Sequence, residues 1–430
     1  MLVNTLLLSD LIDKNAMRKP HKTFIVDEKG RWSFCEFRRK VNELSRGLLR
    51  AGVTHGDRVA VLQHNSMELL QVYFATMKTG AAAVPLNVLL SPKELKDIIE
   101  DADPRVLIVG NRYLEKVDVD VLKEKRIAVF AIGDSGSWIP NYEELMREGE
   151  SVPEPGITAE DLAMIIYTSG TEGAPKGVML THKNLVSVAW ATCITRDIHE
   201  DEVSLVTAPL YQAAAFGSIL GNILRGTTVC LHDGFKPANV LETIEREKVT
   251  SGLFVPSMLI KLLGEFPSLS TKEVGSLRTV IYGAAPMPLT LLKEVMCRFE
   301  WEFIGAYGAT ETGPAYITVL DREDHKLDGD PKKEKRLASV GREGINVRVC
   351  IFDELDNRVS CGEVGEVVVR GPNVMKGYWK RPEETTKAFK GGWYHTGDLG
   401  YMDDEGYLFL VGRKKEMIIS GGFNVYPREI

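Results

Sequence analysis

The chain has 430 residues, 44% of them hydrophobic and 26% charged, with a net charge of −7 at pH 7. That balance belongs to a soluble globular protein of more than one structural unit, and its acidic excess gives no basis for nucleic-acid binding. No apolar run approaches the roughly 18 residues of a membrane helix. The start, "MLVNTLLLSDLIDKN", lacks the basic leader and small-residue cleavage site of a signal peptide. The six cysteines (Cys35, Cys193, Cys230, Cys297, Cys350 and Cys361) form no CxxC pair, which argues against zinc and a disulfide framework and for a reducing cytoplasm.

Residues 1–160 alternate between helix and strand. "SFCEFRRKVNELSRGLLRAGV" places Phe37, Val41, Leu44 and Leu48 on one helical face, and Gly52 ends it. "DRVAVLQH" reads as a strand, "SMELLQVYFATMKTG" as a helix, and "AAAVPL" as a buried strand. "SPKELKDIIEDAD" has Ser91 and Glu94 at capping-box spacing, and "RVLIVG" is again a strand. The alternation continues over 161–336, with strands in "AMIIY", "SLVTAP", "TTVCL", "SGLFVP" and "RTVIYGAAP" and helices in "PANVLETIEREK" and "PLTLLKEVMCRF". This pattern predicts an α/β fold with mostly parallel sheets covered by helices. "DREDHKLDGDPKKEKR" reads as an exposed loop. From 337 to 412 the texture changes to short β runs, "SVGREGINVRVCIFD", "GEVGEVVVRG" and "GYLFLVGR", which predict a smaller, barrel-like antiparallel unit.

"YTSGTEGAPKGVMLTHKNL", Tyr167 to Leu185, has the look of a phosphate loop. Gly170 and Lys176 stand at P-loop separation. Pro175, however, occupies the second glycine position and offers no N–H, and Gly177 replaces the Mg²⁺-binding hydroxyl. "VML" is β-like, and a helix starts only at "THKNLVSVAW", whereas a P-loop opens straight into a helix. The stretch is therefore a loop between two strands. Taken alone it reads more often as a mobile surface turn.

"YTSGTEGAPKG" resembles the phosphate loop of the adenylate-forming superfamily, which includes acyl-CoA synthetases, luciferases and peptide-synthetase adenylation domains. "YGATET" (Tyr307–Thr312), "YHTGDLG" (Tyr394–Gly400) and "GRKKEMIISGGFNVYPREI" (Gly412–Ile430) resemble its later motifs, in order, and "GDRVAVLQHNS" and "GAAAVPLN" its amino-terminal half. The resemblance is closest to medium- and long-chain fatty acyl-CoA ligases. It implies a large amino-terminal domain over 1–412 with two helix-covered β-sheets and a smaller distorted β-barrel. A hinge at 413–416 and the start of a swinging carboxy-terminal domain at 417–430 follow. That domain is on the order of 100 residues in the family. Its adenylating lysine is expected beyond Ile430.

The resemblance implies ATP-dependent activation of a carboxylic acid, with Mg²⁺ as cofactor and coenzyme A as co-substrate. Charge builds on the phosphates in that step, so donors and a metal must stabilise it. Thr168, Ser169, Gly170, Thr171, Gly173 and Lys176 are expected on the β- and γ-phosphates, Thr310 on the α-phosphate, and Glu311 on Mg²⁺. Lys176, Thr310 and Glu311 are the catalytic candidates. Gly283, Ala284, Ala285, Pro286, Ala306, Tyr307 and Gly308 would hold adenine, with Tyr307 stacking on it. Asp398 and Arg413 would hold the ribose, and Lys415 would be the pivot. His395 reads as structural.

"PLYQAAAFGS" resembles the segment lining the acyl pocket. Tyr211, Gln212, Ala215, Phe216 and Gly217, with Val255, Gly283, Gly308 and Pro314, are the acyl candidates. Gln212 stands where the family often has His, and it cannot titrate near neutral pH. No charged group marks an ammonium, so a medium- or long-chain fatty acid is expected, with Phe216 as an aromatic gate and an aryl acid next. A carrier-protein acceptor and a non-catalytic ATP- or acyl-binding form stay open. So do a homodimer and peripheral membrane contact.

Overall fold

The structure, a computed structural model, describes residues 6–136, 139–146, 149, 156–168, 175–313, 316–416, 418–420 and 423–425. Packing divides the chain into two compact units, Met1–Phe235 with Met375–Arg381, and Lys236–Val374 with Pro382–Ile430. The sequence placed divisions at 160 and 336 instead. The division at 160 is bridged by the strand that begins at Leu162, which pairs back onto Ala83 of the first unit.

The first unit runs α1 (Asp10–Arg18), β1 (Thr23–Asp27), β2 (Gly30–Ser33), α2 (Phe34–Arg50), β3 (Arg58–Leu62), α3 (Met67–Lys78), β4 (Ala82–Pro85), α4 (Pro92–Ala102), β5 (Val106–Gly110), α5 (Val119–Glu124), β6 (Ala128–Ile132), β7 (Leu162–Thr168), β8 (Lys176–Thr181), α6 (His182–Thr195), β9 (Val203–Val206), α7 (Ala213–Arg225) and β10 (Thr228–Leu231). The second unit carries β11 (Ser251–Leu253), β12 (Thr279–Gly283), β13 (Glu302–Tyr307), β14 (Thr318–Leu320), β15 (Arg342–Glu343), β16 (Arg348–Phe352) and β17 (Gly365–Arg370). The chain then returns to the first unit for β18 (Gly377–Tyr378). It ends in the second with β19 (Phe389–Lys390), β20 (Trp393–Met402), β21 (Leu408–Arg413), β22 (Ile418–Ser420) and β23 (Phe423–Val425).

Local chemistry explains the elements. Ser33 and Glu36 cap α2 reciprocally, and its apolar stripe buries Phe37, Val41, Leu44 and Leu48. Ser91 and Glu94 do the same for α4, where Pro92 opens the first turn. In the first unit one sheet runs β18-β8-β7-β4-β3-β5-β6. Its central strands are parallel, and β5 is buried along its whole length, as a sheet covered on both faces requires. β7 and β8 form an antiparallel hairpin at one side. β9, β10 and β1 form a second, parallel group with β2 antiparallel at its end. In the second unit β11, β12 and β13 are parallel and β14 and β15 antiparallel. The antiparallel sheet β16-β17-β20-β19, with β21 on β20, is the unit anticipated for 337–412.

Two segments differ from expectation. "AAAFGSILGNILR" forms α7, a helix that the reading of the sequence assigns to no element. "DREDHKLDGDPKKEKR" is not simply an exposed loop. It holds a helical turn, Arg322–His325, and a short helix, Pro331–Arg336, and it buries Asp324 and His325. Burial is tolerated because each polar group is met. Tyr407 donates to Asp324, His325 Nδ1 lies 2.7 Å from the Asp321 carbonyl, and its Nε2 lies 2.9 Å from the Tyr282 hydroxyl.

His182 opens α6 and is fully buried. Its Nδ1 accepts the Leu8 N–H at 3.1 Å, which fixes the neutral tautomer with the proton on Nε2. Burial lowers its pKa to about 4 against a weak opposing pull from Asp161. The unfolded chain therefore binds the proton first, and stability falls as pH drops below about 6.5 towards 4. We expect denaturant unfolding to lose about 2 kcal/mol more between pH 6.5 and 4.5 in the wild type than in His182→Gln. Equal losses in the two proteins would refute this.

Candidate nucleotide and acyl site

The β20–β21 hairpin places Asp398 directly opposite Arg413. Asp398 is 8% exposed. Its Oδ1 lies 3.0 Å from Arg413 Nε, and its Oδ2 accepts the Tyr307 hydroxyl at 2.5 Å. Burial, then the Asp398 charge, raises the Tyr307 pKa far above its usual range, so the phenol stays a donor. The turn before Asp398 is fixed by its own N–H donating to Thr396 Oγ1 at 3.0 Å. Beneath it, Glu366 Oε1 accepts the Gly397 N–H at 3.1 Å. Glu366 Oε2 lies 3.1 Å from Lys414 Nζ and 3.2 Å from His395 Nδ1. Burial raises the Glu366 pKa, but Lys414 and His395 together outweigh it and hold the carboxylate ionised. Lys415 follows in an exposed turn.

β12 and β13 lie side by side, with Gly283 opposite Ala306. A Cβ on Gly283 would stand 2.3 Å from the Ala306 carbonyl oxygen, so only glycine fits. Ala284 follows at φ +61°, in the left-handed region, and Ala284, Ala285, Pro286 and Gly308 are exposed. Such a bare backbone surface can receive a flat ring. Thr310 and Glu311 sit half-buried on the turn Thr310–Thr312. Thr312 closes that turn by bonding Ala309, and the buried Asn373 donates to the Thr312 carbonyl. Among the described residues no cluster of three or more His, Cys, Asp or Glu can hold a metal alone. A Mg²⁺ at Glu311 would have to take its other ligands from phosphate oxygens and water.

In the first unit, Thr168 pairs with Lys176 across the β7–β8 hairpin. Ser169, Gly170, Thr171, Gly173 and Pro314 lie outside the described residues. Lys176 Nζ lies 5.3 Å from the Tyr378 ring centroid. Tyr211, Gln212, Ala215, Phe216 and Gly217 gather at the start of α7, where Gln212 and Ala214 are exposed. Phe216 is fully buried, its ring edge-on to Tyr73 at 5.5 Å. Asn65 was not anticipated. Its amide donates to the Ala208 carbonyl at 2.9 Å and accepts the Leu210 N–H at 2.7 Å, so it pins the approach to Tyr211. Val255 caps the helix Pro256–Glu265 in the second unit.

Residues 12–379 match the model of a protein family described as AMP-binding enzyme. The chain is similar to a feruloyl-CoA synthase of Amycolatopsis sp., with 37% identity over 97% of this chain and 80% of that protein. It is 35% identical to an indoleacetate–CoA ligase of Aromatoleum aromaticum, over 98% of this chain and 81% of that one. It is 32% identical to a long-chain-fatty-acid–CoA ligase of Mycobacterium tuberculosis, over 93% and 77%. Its fold is similar to an o-succinylbenzoate CoA synthetase from Bacillus subtilis, solved with its acyl-adenylate intermediate. That match has a TM-score of 0.85 and 30% identity over 98% of this chain and 81% of that one.

Proposed function

The chain belongs to the AMP-binding enzyme family and is an AMP-forming acyl-CoA synthetase; from that premise we propose how its residues divide the work and which acid it takes. ATP supplies the α-phosphate that the carboxylate oxygen attacks, pyrophosphate leaves, and the CoA thiol then displaces AMP to give the thioester. Asp398 and Arg413 hold the ribose, and the Gly283–Pro286 turn and Tyr307 hold adenine. Thr310 would donate to the α-phosphate, and Glu311 would hold Mg²⁺, which would supply charge neutralisation to the phosphates. Thr168 and Lys176 contact the outer phosphates from the ends of the loop.

The acid is apolar and carries no ammonium group. Medium- and long-chain fatty acids are one reading. The observation that favours a compact aryl acid is that Phe216 is fully buried and packed edge-on against Tyr73, which we read as a closed end of the acyl site. The relatives named for feruloyl and indoleacetyl substrates, at 37% and 35% identity, support the same order. A panel assay of acid-dependent pyrophosphate release tests it, with ferulic and indoleacetic acids beside fatty acids of graded length. A preference for the long fatty acids would reverse it. In Ala214→Trp, the exposed first turn of α7 gains bulk, and the preference among acids should move to smaller ones by roughly 10-fold or more, the scale of one to two methylenes. An unchanged profile would place the acyl pocket elsewhere.

A further inference from the structure

The strap Met375–Arg381 belongs by packing to the first unit, although the chain on both sides of it belongs to the second. β18, within it, pairs antiparallel with β8. Lys376 N–H donates to the Met179 carbonyl at 2.9 Å and Trp379 N–H to the Gly177 carbonyl at 2.7 Å. The far end of the strap converges on one residue, Asp101, in the last turn of α4. Arg381 lies 2.9 Å from Asp101 Oδ1. Trp379 Nε1 and Lys380 Nζ donate to the Asp101 carbonyl at 3.1 and 2.7 Å. The remaining carboxylate oxygen, Oδ2, accepts the Tyr167 hydroxyl at 2.6 Å.

Tyr167 is the last residue before Thr168, and Gly177 the first after Lys176. One carboxylate thus grips both ends of the phosphate loop. It holds the entry strand directly through Tyr167 and the exit strand through Arg381, the strap and β18. The two grips meet at Gly177. A Cβ there would stand 3.1 Å from the Tyr167 ring and 3.2 Å from Trp379 Cβ. Arg58 closes the outer side, 5.2 Å from the Trp379 ring centroid. The strap also sets Tyr378 under Lys176, so the cation rests on a ring carried by the element that Asp101 anchors.

We propose that Asp101 is a positioning residue for polyphosphate: it fixes the spacing and twist of the β7–β8 ends, and so sets where Thr168 and Lys176 meet the outer phosphates of ATP. This rests on reading the loop as the polyphosphate site. It requires Asp101 to act on the outer phosphates and not on the nucleoside. A carboxylate that merely tied down a chain crossing would affect all ligands alike.

The test compares affinities for Mg²⁺–ATP and for AMP, by calorimetry, in the wild type and in Lys176→Met, Asp101→Asn, Tyr167→Phe and Arg381→Met. Lys176→Met tests the loop reading itself. It should weaken ATP by roughly 10-fold or more, the scale of a lost charge-assisted contact, and leave AMP within about 2-fold. Asp101→Asn should weaken ATP by roughly 5- to 10-fold with AMP unchanged, since it breaks one ion pair and leaves the amide oxygen to accept the phenol. Tyr167→Phe and Arg381→Met, which each cut one grip, should shift the ATP-to-AMP ratio in the same direction by less. They keep the test standing if Asp101→Asn folds poorly. If Lys176→Met shifts the ratio and the other three do not, the positioning role is overturned and the loop reading survives. If Asp101→Asn weakens ATP and AMP equally, the role is structural only and the proposal is overturned. If Lys176→Met itself leaves the ratio at the wild-type value, the loop reading falls and the proposal with it.

Discussion

In Glu311→Gln we expect acid-dependent pyrophosphate release to fall by roughly 10²-fold or more, the scale seen when one aimed electrostatic group is lost from a transition state. The turn that carries Glu311 is held by Thr312 and Asn373 through backbone contacts, so the amide will sit where the carboxylate sat. Shape is kept and charge is lost. Mg²⁺ binds carboxylate oxygen far better than amide oxygen when phosphates supply the rest of its shell. The variant should therefore also lose most of the gain in ATP affinity that Mg²⁺ gives the wild type, while AMP affinity stays close to wild type. A variant with wild-type rate and wild-type Mg²⁺ dependence would remove Glu311 from the metal.

Asp398→Asn should behave in the opposite way and weaken ATP and AMP together, by roughly 10- to 100-fold. Asp398 is a buried anion that already receives two bonds, from Arg413 and from the Tyr307 hydroxyl. The amide can satisfy the phenol through its oxygen, but it then turns an NH₂ group towards the guanidinium. Each bond to a charged group contributes about 1.5–3 kcal/mol, and both ribose hydroxyls are expected to use the same carboxylate. Melting temperature should change little, because the group that loses its counter-charge, Arg413, is exposed and is solvated by water instead. Calorimetry with ATP and AMP checks the first point and thermal unfolding the second. An effect on ATP alone would mean that Asp398 faces phosphate and not ribose.

Residues that speak through a motif are legible in the order of amino acids alone. Asp398, Arg413 and Tyr307 stand in separate motifs, and the fold brings them within hydrogen-bond reach because β20 and β21 pair in register and β13 ends beside them. The capping boxes at Ser33 and Ser91 are short-range, so their spacing by itself announces the helix starts. What stays hidden depends on contacts between residues far apart in the chain. Asp101 lies in "EDAD", which reads as a solvated acidic helix end, and only β18 and Tyr167 make it a hub. Asn65, Asn373 and His325 sit in polar stretches where composition predicts exposure. Asn65 and His325 are buried because partners far away in sequence meet their polar atoms, and the amide of Asn373 is drawn in by the Thr312 carbonyl. Phe216 shows the limit from the other side. Its motif suggests a gate, but only the position of Tyr73 reveals which way its ring faces.

The late arrival of β18 has a consequence for the nascent chain. β8 leaves the ribosome with β7 on one side and nothing on the other. The carbonyls of Gly177 and Met179 wait for Trp379 and Lys376. Those residues follow on the order of 200 residues later, roughly 10–40 s at the ordinary pace of about 5–20 residues per second. For that interval the β7–β8 hairpin is an open sheet edge, rich in Val178, Met179 and Leu180, of the kind that recruits other strands. The first unit is thus continuous in space but not in synthesis. A fragment that stops at Phe235 would keep that edge for good, and we expect it to aggregate in a light-scattering measurement where the full chain does not, even though every other strand of its sheet is present.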